Sequence, residues 1–328
     1  MKIHKLWQDY PDLAKELAAT LKMMEGSIKL SNKAVEQAIL TMIYSGGKLL
    51  RPAYLLLFSQ FGKETDREKM IALAAAMETL HTATLIHDDI IDEADLRRNH
   101  PTVQSQFGKD VAVYAGDYLF VSCFKLLANH ASSLKSIQLN ANSMEKVLAG
   151  ELGQMDNRYD TTMSINAYLD NISGKTAELF ALSCFVGAYE SGCSQLFANK
   201  CKKIGNYIGI TFQIIDDILD YSEATASIGK PVLEDVKQGV YSLPLLYALK
   251  NNPQALLPLL NKREGMTTAD TAEIYQLVQA NGGIEEARKL AASYTAKALK
   301  EITKLPDNEQ ETKKVIYDVT SLLLKRTY

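Results

Sequence analysis

Four cysteines in 328 residues, at 123, 184, 193 and 201, form no paired C-x-x-C set. That excludes a zinc knuckle and gives no disulfide framework; scattered thiols suit a reducing compartment. Basic residues are not in excess. Lys and Arg total 36 against 39 Asp and Glu, for a formal net charge of −3, and no Lys/Arg tract stands out. A nucleic-acid footprint built on basic charge is therefore not expected. No run of about 18 uncharged apolar residues occurs, so no membrane-spanning helix is expected. The first residues, "MKIHKLWQDYPDLAKEL", lack the apolar stretch of a signal peptide. No linker rich in Gly, Ser or Pro divides the chain, and no fixed-period repeat appears. The expectation is one domain over 1–328 in a soluble, cytoplasmic protein.

What is present is helical pattern. Apolar residues make up 47% of the chain. Residues 69–92 run "KMIALAAAMETLHTATLIHDDIID" without Gly or Pro. Residues 204–221 form a second apolar segment ending in acids. Residues 285–303 repeat apolar positions at three and four, the sign of an amphipathic helix. Turn signals fall at Gly46-Gly47, Asn99 to Thr102, Gly229 to Pro231, Asn251 to Pro253 and Asn281 to Gly283. Strand-like alternation is scarce, so the fold class is all-α, a single large helical bundle.

Two stretches break the apolar pattern in the same way. "IHDDIID" holds Asp88, Asp89 and Asp92; "IIDDILD" holds Asp216, Asp217 and Asp220. Helical residues four apart share a face, with Cβ atoms about 5–6 Å apart. Asp88 and Asp92 can thus reach one ion from adjacent turns while Asp89 supports from the side, and the second triplet repeats the arrangement. Like charges so placed repel, and an apolar setting adds a desolvation cost. A divalent cation removes the conflict, and carboxylate oxygens suit Mg²⁺, which completes its shell with water and substrate phosphate. One such cluster is equally well an N-cap or a solvated acidic face. Two, each in an apolar helix, favour metal-held phosphate. The spacing and glycine of a calcium EF-hand are absent.

A metal-held diphosphate also calls for protein cations. Lys48 and Arg51 follow the Gly-Gly turn in "GGKLLRP". Arg97 and Arg98 follow the first cluster, Lys175 and Thr176 lie in "GKTAELF", and Lys230 follows the second cluster. Each alone is an ordinary surface residue; proximity to turns and clusters raises them. His81 stands seven residues before Asp88 on the same face, and alone reads as a core histidine. Gln213, three before Asp216, is either a phosphate donor or a packing amide. His87 is assigned no role.

Together "GGKLLRP", "HTATLIHDDIIDEADLRRNHPT", "YAGDYLF", "GKTAELF", "FQIIDDILDY", "GKPVLEDVKQGVYSLPLLYAL" and "GGIEEAR" resemble the trans-polyprenyl diphosphate synthases, over nearly the whole chain. The resemblance implies the isoprenoid synthase fold around a central active-site cavity. It implies condensation of isopentenyl diphosphate with an allylic diphosphate, farnesyl or geranylgeranyl, to an all-trans polyprenyl diphosphate for a quinone side chain. It assigns three Mg²⁺ ions to the two triplets, with Asp88, Asp92 and Asp216 as ligands and Asp89, Asp217 and Asp220 in the same catalytic set. Arg97, Lys175, Thr176, Gln213 and Lys230 would contact the allylic substrate, and Lys48, Arg51, His81 and Arg98 the isopentenyl diphosphate. The product would grow along the helix before the first motif, past Thr84, Ala83, Leu80 and Ala76. A bulky aromatic four or five residues before the first Asp closes that path in relatives; here Thr84 and Ala83 leave it open. With about 5.4 Å per turn, about six to eight isoprene units are expected.

Three positions depart from the family pattern. Leu49 stands where a basic residue is common, Leu233 replaces a frequent Gly, and Val240 replaces a Lys of short-chain members. A homodimer is implied, with a small regulatory subunit as the alternative and transient membrane contact for product release. A class I terpene cyclase would share the fold and first motif, but it carries a different second metal motif and needs no isopentenyl diphosphate site. A short-chain synthase and a non-catalytic prenyl diphosphate-binding subunit are the other readings.

Overall fold

The structure is a computed structural model that describes residues 3–64, 66–221 and 233–324. It is all-α apart from one two-stranded hairpin. The chain forms two compact units of interleaved segments, and four of the five passages between them fall within helices, the fifth in the loop at Asp307–Asn308. The first unit holds Met1–Ala141, Leu182–Lys202 and Asn308–Thr312; the second holds Asn142–Ala181, Lys203–Asp307 and Lys313–Tyr328.

In the first unit, α1 (Pro11–Ser27), α2 (Lys33–Tyr44), α3 (Leu50–Phe58), α4 (Arg67–Ile91), α5 (Val103–Phe107) and α6 (Lys109–His130) follow one another. Helix α4 is the centre. The Asp66 carboxylate caps it, accepting from Lys69 N at 3.0 Å. Its alanines, Leu73, Leu80 and Ile86 are all buried, and α1, α3 and α6 pack around it. A helix apolar on every side belongs in a core, and the alanines let neighbours approach closely. At the α4–α6 crossing, a Cβ on Gly116 would lie 2.3 Å from His87 Nε2, so a side chain there would require the imidazole to shift. By length and composition α6 alone among the described helices could cross a membrane. It nevertheless carries Asp117 and Lys125 and packs along α4. Between α4 and α5 a hairpin pairs β1 (Leu96–Arg97) with β2 (His100–Pro101) through Arg98 and Asn99. Both turn residues have positive φ, 52° and 64°, as a type I′ turn requires.

Helix α7 (Leu134–Asp156) leads into the second unit. There α8 (Ile165–Ile172) runs through a π-helical segment, Ser173–Ala177, into α9 (Glu178–Glu190), which belongs to the first unit from Leu182 on. The chain re-enters the second unit within α10 (Gln195–Leu219), and then come α11 (Glu234–Lys237), α12 (Leu243–Asn251), α13 (Pro253–Leu260), α14 (Thr268–Ala280), α15 (Gly283–Ile302) and α16 (Thr312–Leu324). Helix α12 packs against α8, α14 and α15. All four cysteines are free thiols.

Candidate active site

Both aspartate triplets sit at the C-terminal end of a helix. Helix α4 stops at Ile91, so Asp92 is its C-cap rather than an interior residue, although its backbone stays helical at φ −85° and ψ −2°. Helix α10 likewise ends at Leu219, one residue before Asp220. A helix C-terminus carries about half a negative elementary charge, where anions are disfavoured and cations favoured. Six carboxylates are thus gathered where the backbone already repels them.

Within the first triplet the residues divide. Asp89 turns inward, with only 3% of its side chain exposed, and accepts from Arg97 Nε at 2.8 Å. Burial raises its pKa and Arg97 opposes that rise, while Asp88 and Asp92 add to it. Asp88 is half-buried and Asp92 exposed. Arg97, expected on the substrate, here spends one guanidinium nitrogen on the motif itself.

The cations of the first unit gather around the Gly46-Gly47 turn. Trp7, fully buried, donates from Nε1 to Lys48 O at 2.7 Å and pins that turn. Leu49, the N-cap of α3, has φ 52°, and Arg51 lies in the first turn of the helix, where the dipole favours anions. The Arg98 guanidinium lies against Gly47: a Cβ there would meet Nη1 at 3.0 Å. Arg98 itself holds a left-handed backbone, which costs a non-glycine residue about 1–2 kcal/mol. Burial, and then the charges of Arg51, Arg98 and Arg97, hold His81 well below its usual pKa, so it is a neutral imidazole. Burial raises Glu78 and the same Arg51 and Arg98 oppose it. The structure thus brings Arg51, His81, Arg97 and Arg98 together with Glu78, which sequence reasoning missed. The available signal was its place three residues before His81 on one helix.

In the second unit the pattern repeats with other partners. Asp217 is buried and accepts from Tyr168 Oη at 2.6 Å, Gln213 Nε2 at 2.9 Å and Leu243 N at 3.3 Å. Burial pushes its pKa up to about 6, against those hydrogen bonds. Partial loss of hydration against the helix end, and then the charges of Asp235, Asp217 and Asp216, push Asp220 up to about 7, although the residue keeps an exposed edge. Gln213 accepts from Thr176 Oγ1 at 2.8 Å, so both ends of its amide are engaged within the protein.

Lys175 and Thr176 project from the π-helical segment, a feature frequent at functional sites. That segment crosses α7 through Gly150 and Gly174, where a Cβ on Gly150 would lie 2.8 Å from Lys175 N. Lys175 Nζ reaches Glu151 Oε2 at 2.7 Å and Gln154 Oε1 at 2.9 Å. A pocket in this unit is lined by Lys175, Thr176, Gln213 and Asp217, with Tyr168 and Gln154 beside them. Glu151, Gln154 and Tyr168 were not legible as site residues. Val240 lines the same pocket with an apolar side chain. Leu233 holds φ 61°, a conformation that suits the glycine common there. Lys230 lies outside the described residues. Ala76, Leu80, Ala83 and Thr84 are all buried in the first unit, Thr84 the most exposed at 9%.

The donors in both triplets are oxygen alone, which suits a hard divalent cation. Among the described residues no three His, Cys, Asp or Glu side chains converge on one point. Mg²⁺ takes one or two carboxylates and draws its remaining oxygens from water and phosphate. Asp88 and Asp92 in one unit, and Asp216 and Asp220 in the other, are the residues that would hold it.

A family model described as polyprenyl synthetase matches residues 32–279. A heptaprenyl diphosphate synthase component 2 from Geobacillus stearothermophilus is 34% identical over 325 residues, 99% of this chain and 100% of the relative. A nonaprenyl diphosphate synthase from Mycobacterium tuberculosis is 30% identical over 89% of this chain and 87% of its own. Among solved structures, a geranylgeranyl pyrophosphate synthase from Lactobacillus brevis superposes with TM-score 0.94 at 41% identity, covering 98% of this chain and 99% of that one. A heptaprenyl diphosphate synthase from Staphylococcus aureus gives TM-score 0.90 at 34% identity, covering 96% and 99%.

Proposed function

The chain belongs to the polyprenyl synthetase family, has the isoprenoid synthase fold and is a trans-prenyltransferase, and from that premise we propose that it elongates an allylic diphosphate with isopentenyl diphosphate to a long all-trans product. The observation that carries the reading is the repeated motif: an acidic triplet at a helix C-terminus with its middle aspartate buried and tied. Bound Mg²⁺ supplies Lewis-acid neutralisation of the diphosphate leaving group. Asp88 and Asp92 in the first motif, and Asp216 and Asp220 in the second, would hold Mg²⁺ and its diphosphate oxygens, with Asp89 and Asp217 bracing them. Lys175 and Lys230 neutralise charge on the departing diphosphate, while Arg97, Thr176 and Gln213 orient it. Lys48, Arg51, His81 and Arg98 grip the second diphosphate. His81, as a neutral imidazole, does so by hydrogen bonding rather than by charge. Holding the two substrates in one site removes the entropic cost of their encounter.

We assign the product about six to eight isoprene units, growing past Thr84, Ala83, Leu80 and Ala76 at about 5.4 Å per turn. The names of the Geobacillus and Mycobacterium relatives support a long chain. The Lactobacillus neighbour favours a second reading, a geranylgeranyl-length product. The proposed assembly is a homodimer in the cytoplasm, with transient membrane contact for product release. Exposed apolar residues along α6, namely Tyr114, Val121 and Phe124, are 75%, 51% and 41% accessible and support a self-association face. The "component 2" relative motivates a small partner subunit as the alternative.

One experiment tests these readings. The purified chain is incubated with labelled isopentenyl diphosphate, Mg²⁺ and farnesyl or geranylgeranyl diphosphate, and the dephosphorylated products are chromatographed. Products of six to eight units support the long-chain reading. A geranylgeranyl product supports the second. Conversion of the allylic substrate alone to a hydrocarbon overturns both. No turnover until a second subunit is added identifies a two-component enzyme.

A further inference from the structure

Asp217 is held from three directions. Tyr168 Oη and Leu243 N both donate to Oδ2, at 2.6 and 3.3 Å, and Gln213 Nε2 donates to Oδ1 at 2.9 Å. The donors come from α8, from the first turn of α12 and from one turn earlier on α10. A carboxylate offers about four acceptor sites, so most of its capacity is used inside the protein. Its side chain is buried, whereas Asp216 is half-buried and Asp220 exposed. At about 100° per residue, Asp216 and Asp220 lie about 40° apart around α10, both to one side of Asp217. A grip on Asp217 therefore sets the rotation of this turn, and with it the direction of the other two carboxylates.

We propose that Tyr168 is a positioning residue for the second aspartate motif: by holding Asp217 as a strut, it aims Asp216 and Asp220 at the metal–diphosphate. The inference rests on the synthase reading. The choice of a phenol has a consequence. In the first motif Asp89 is held by a cation, Arg97, which offsets one of three negative charges. Tyr168 is neutral: burial, reinforced by Asp217, holds its pKa well above the usual phenol range. Tyr168 is 4% exposed and projects from a helix capped by Ser164, whose Oγ accepts from Ala167 N at 3.1 Å. Its own position is thus determined by packing before any ligand arrives.

The test removes one oxygen atom. In Tyr168→Phe, Mn²⁺ binding in the presence of inorganic diphosphate, followed by the free-Mn²⁺ paramagnetic resonance signal, weakens by about tenfold or more, the range for loss of an outer-shell partner. The KM for isopentenyl diphosphate stays near the wild-type value, while the Mg²⁺ concentration for half-maximal turnover rises. Asp217→Asn turns one accepting oxygen into an NH₂ that faces a donor, Gln213 Nε2 or Tyr168 Oη, so it breaks the strut and weakens Mn²⁺ binding too, and adding Tyr168→Phe to it costs little further. Wild-type Mn²⁺ binding by folded Tyr168→Phe overturns the proposal. So does wild-type Mn²⁺ binding by Asp217→Asn, and this measurement decides even where Tyr168→Phe fails to fold. Failure of the synthase reading is separately visible as a wild-type protein that elongates no allylic primer, because the Mn²⁺ measurement does not need turnover.

Discussion

Gly150 and Gly153 lie one turn apart on α7 and predict opposite effects from the same substitution. At Gly150 a Cβ would sit 2.8 Å from Lys175 N, 3.0 Å from Gly174 C and 3.2 Å from Gly174 Cα. All three are backbone atoms, so no side chain can swing away. Overpacking of this kind costs about 1–3 kcal/mol, and alanine in a helix interior returns about 0.5–1 kcal/mol. Gly150→Ala should therefore be destabilised by up to about 2.5 kcal/mol, the difference between those two terms. At Gly153 the nearest atom is Asn171 Oδ1 at 3.9 Å, an ordinary contact. Gly153→Ala should gain about 0.5–1 kcal/mol. The clash also pushes the π-helical segment away from α7 and carries Lys175 and Thr176 with it. A misplacement near 1 Å costs about 10²-fold in rate, so turnover by Gly150→Ala should fall by one to two orders of magnitude. Urea unfolding and steady-state turnover of both variants check the pair. A Gly150→Ala protein as stable as Gly153→Ala and within twofold of wild-type turnover would show that the seam positions nothing.

Three further outcomes follow from the site. Asp88→Ala and Asp216→Ala should each lower turnover by about 10²–10³-fold, as loss of one transition-state contact does, with helical circular dichroism unchanged. In the metal-free protein, Asp217 and Asp220 hold protons to about pH 6 and 7, well above the usual carboxylate value. Between about pH 4 and 7 the folded state thus binds more protons than the unfolded chain, and stability from these groups falls as pH rises. Melting curves across that range should show a shallower fall in Asp220→Asn than in wild type, and Mg²⁺ with diphosphate should reverse the wild-type loss. Thr84→Phe, four residues before Asp88, should shorten the product in a chromatographic assay at a stability cost of about 1–3 kcal/mol from overpacking; an unchanged product would remove α4 from the elongation path.

The helices were legible because their causes are local. The apolar run from 69 contains no Gly or Pro, and α4 covers Arg67–Ile91 as expected, though Asp92 proved to be its cap. The pattern at 285–303 became Gly283–Ile302. The hairpin was not legible, since two strands of two residues each are too short for alternation to register. Gly116 against His87, and Gly150 against Gly174, had no signal either: a close helix crossing depends on which helices meet, and residue spacing within one helix does not carry that.

The sequence by itself determined the fold class, the family and the two acidic triplets, because helix periodicity and motif spacing are properties of neighbouring residues. It also singled out candidate cations, by adjacency to glycine turns and to the two triplets. Only the tertiary structure decided how each triplet divides its labour. Asp89 pairs with Arg97 eight residues on. Asp217 meets Tyr168 across 49 residues and Leu243 across 26. Lys175 is tied to Glu151 and Gln154, on a helix that precedes it. A buried carboxylate must find donors wherever the fold supplies them, and those donors are chosen by packing between elements that the chain keeps far apart.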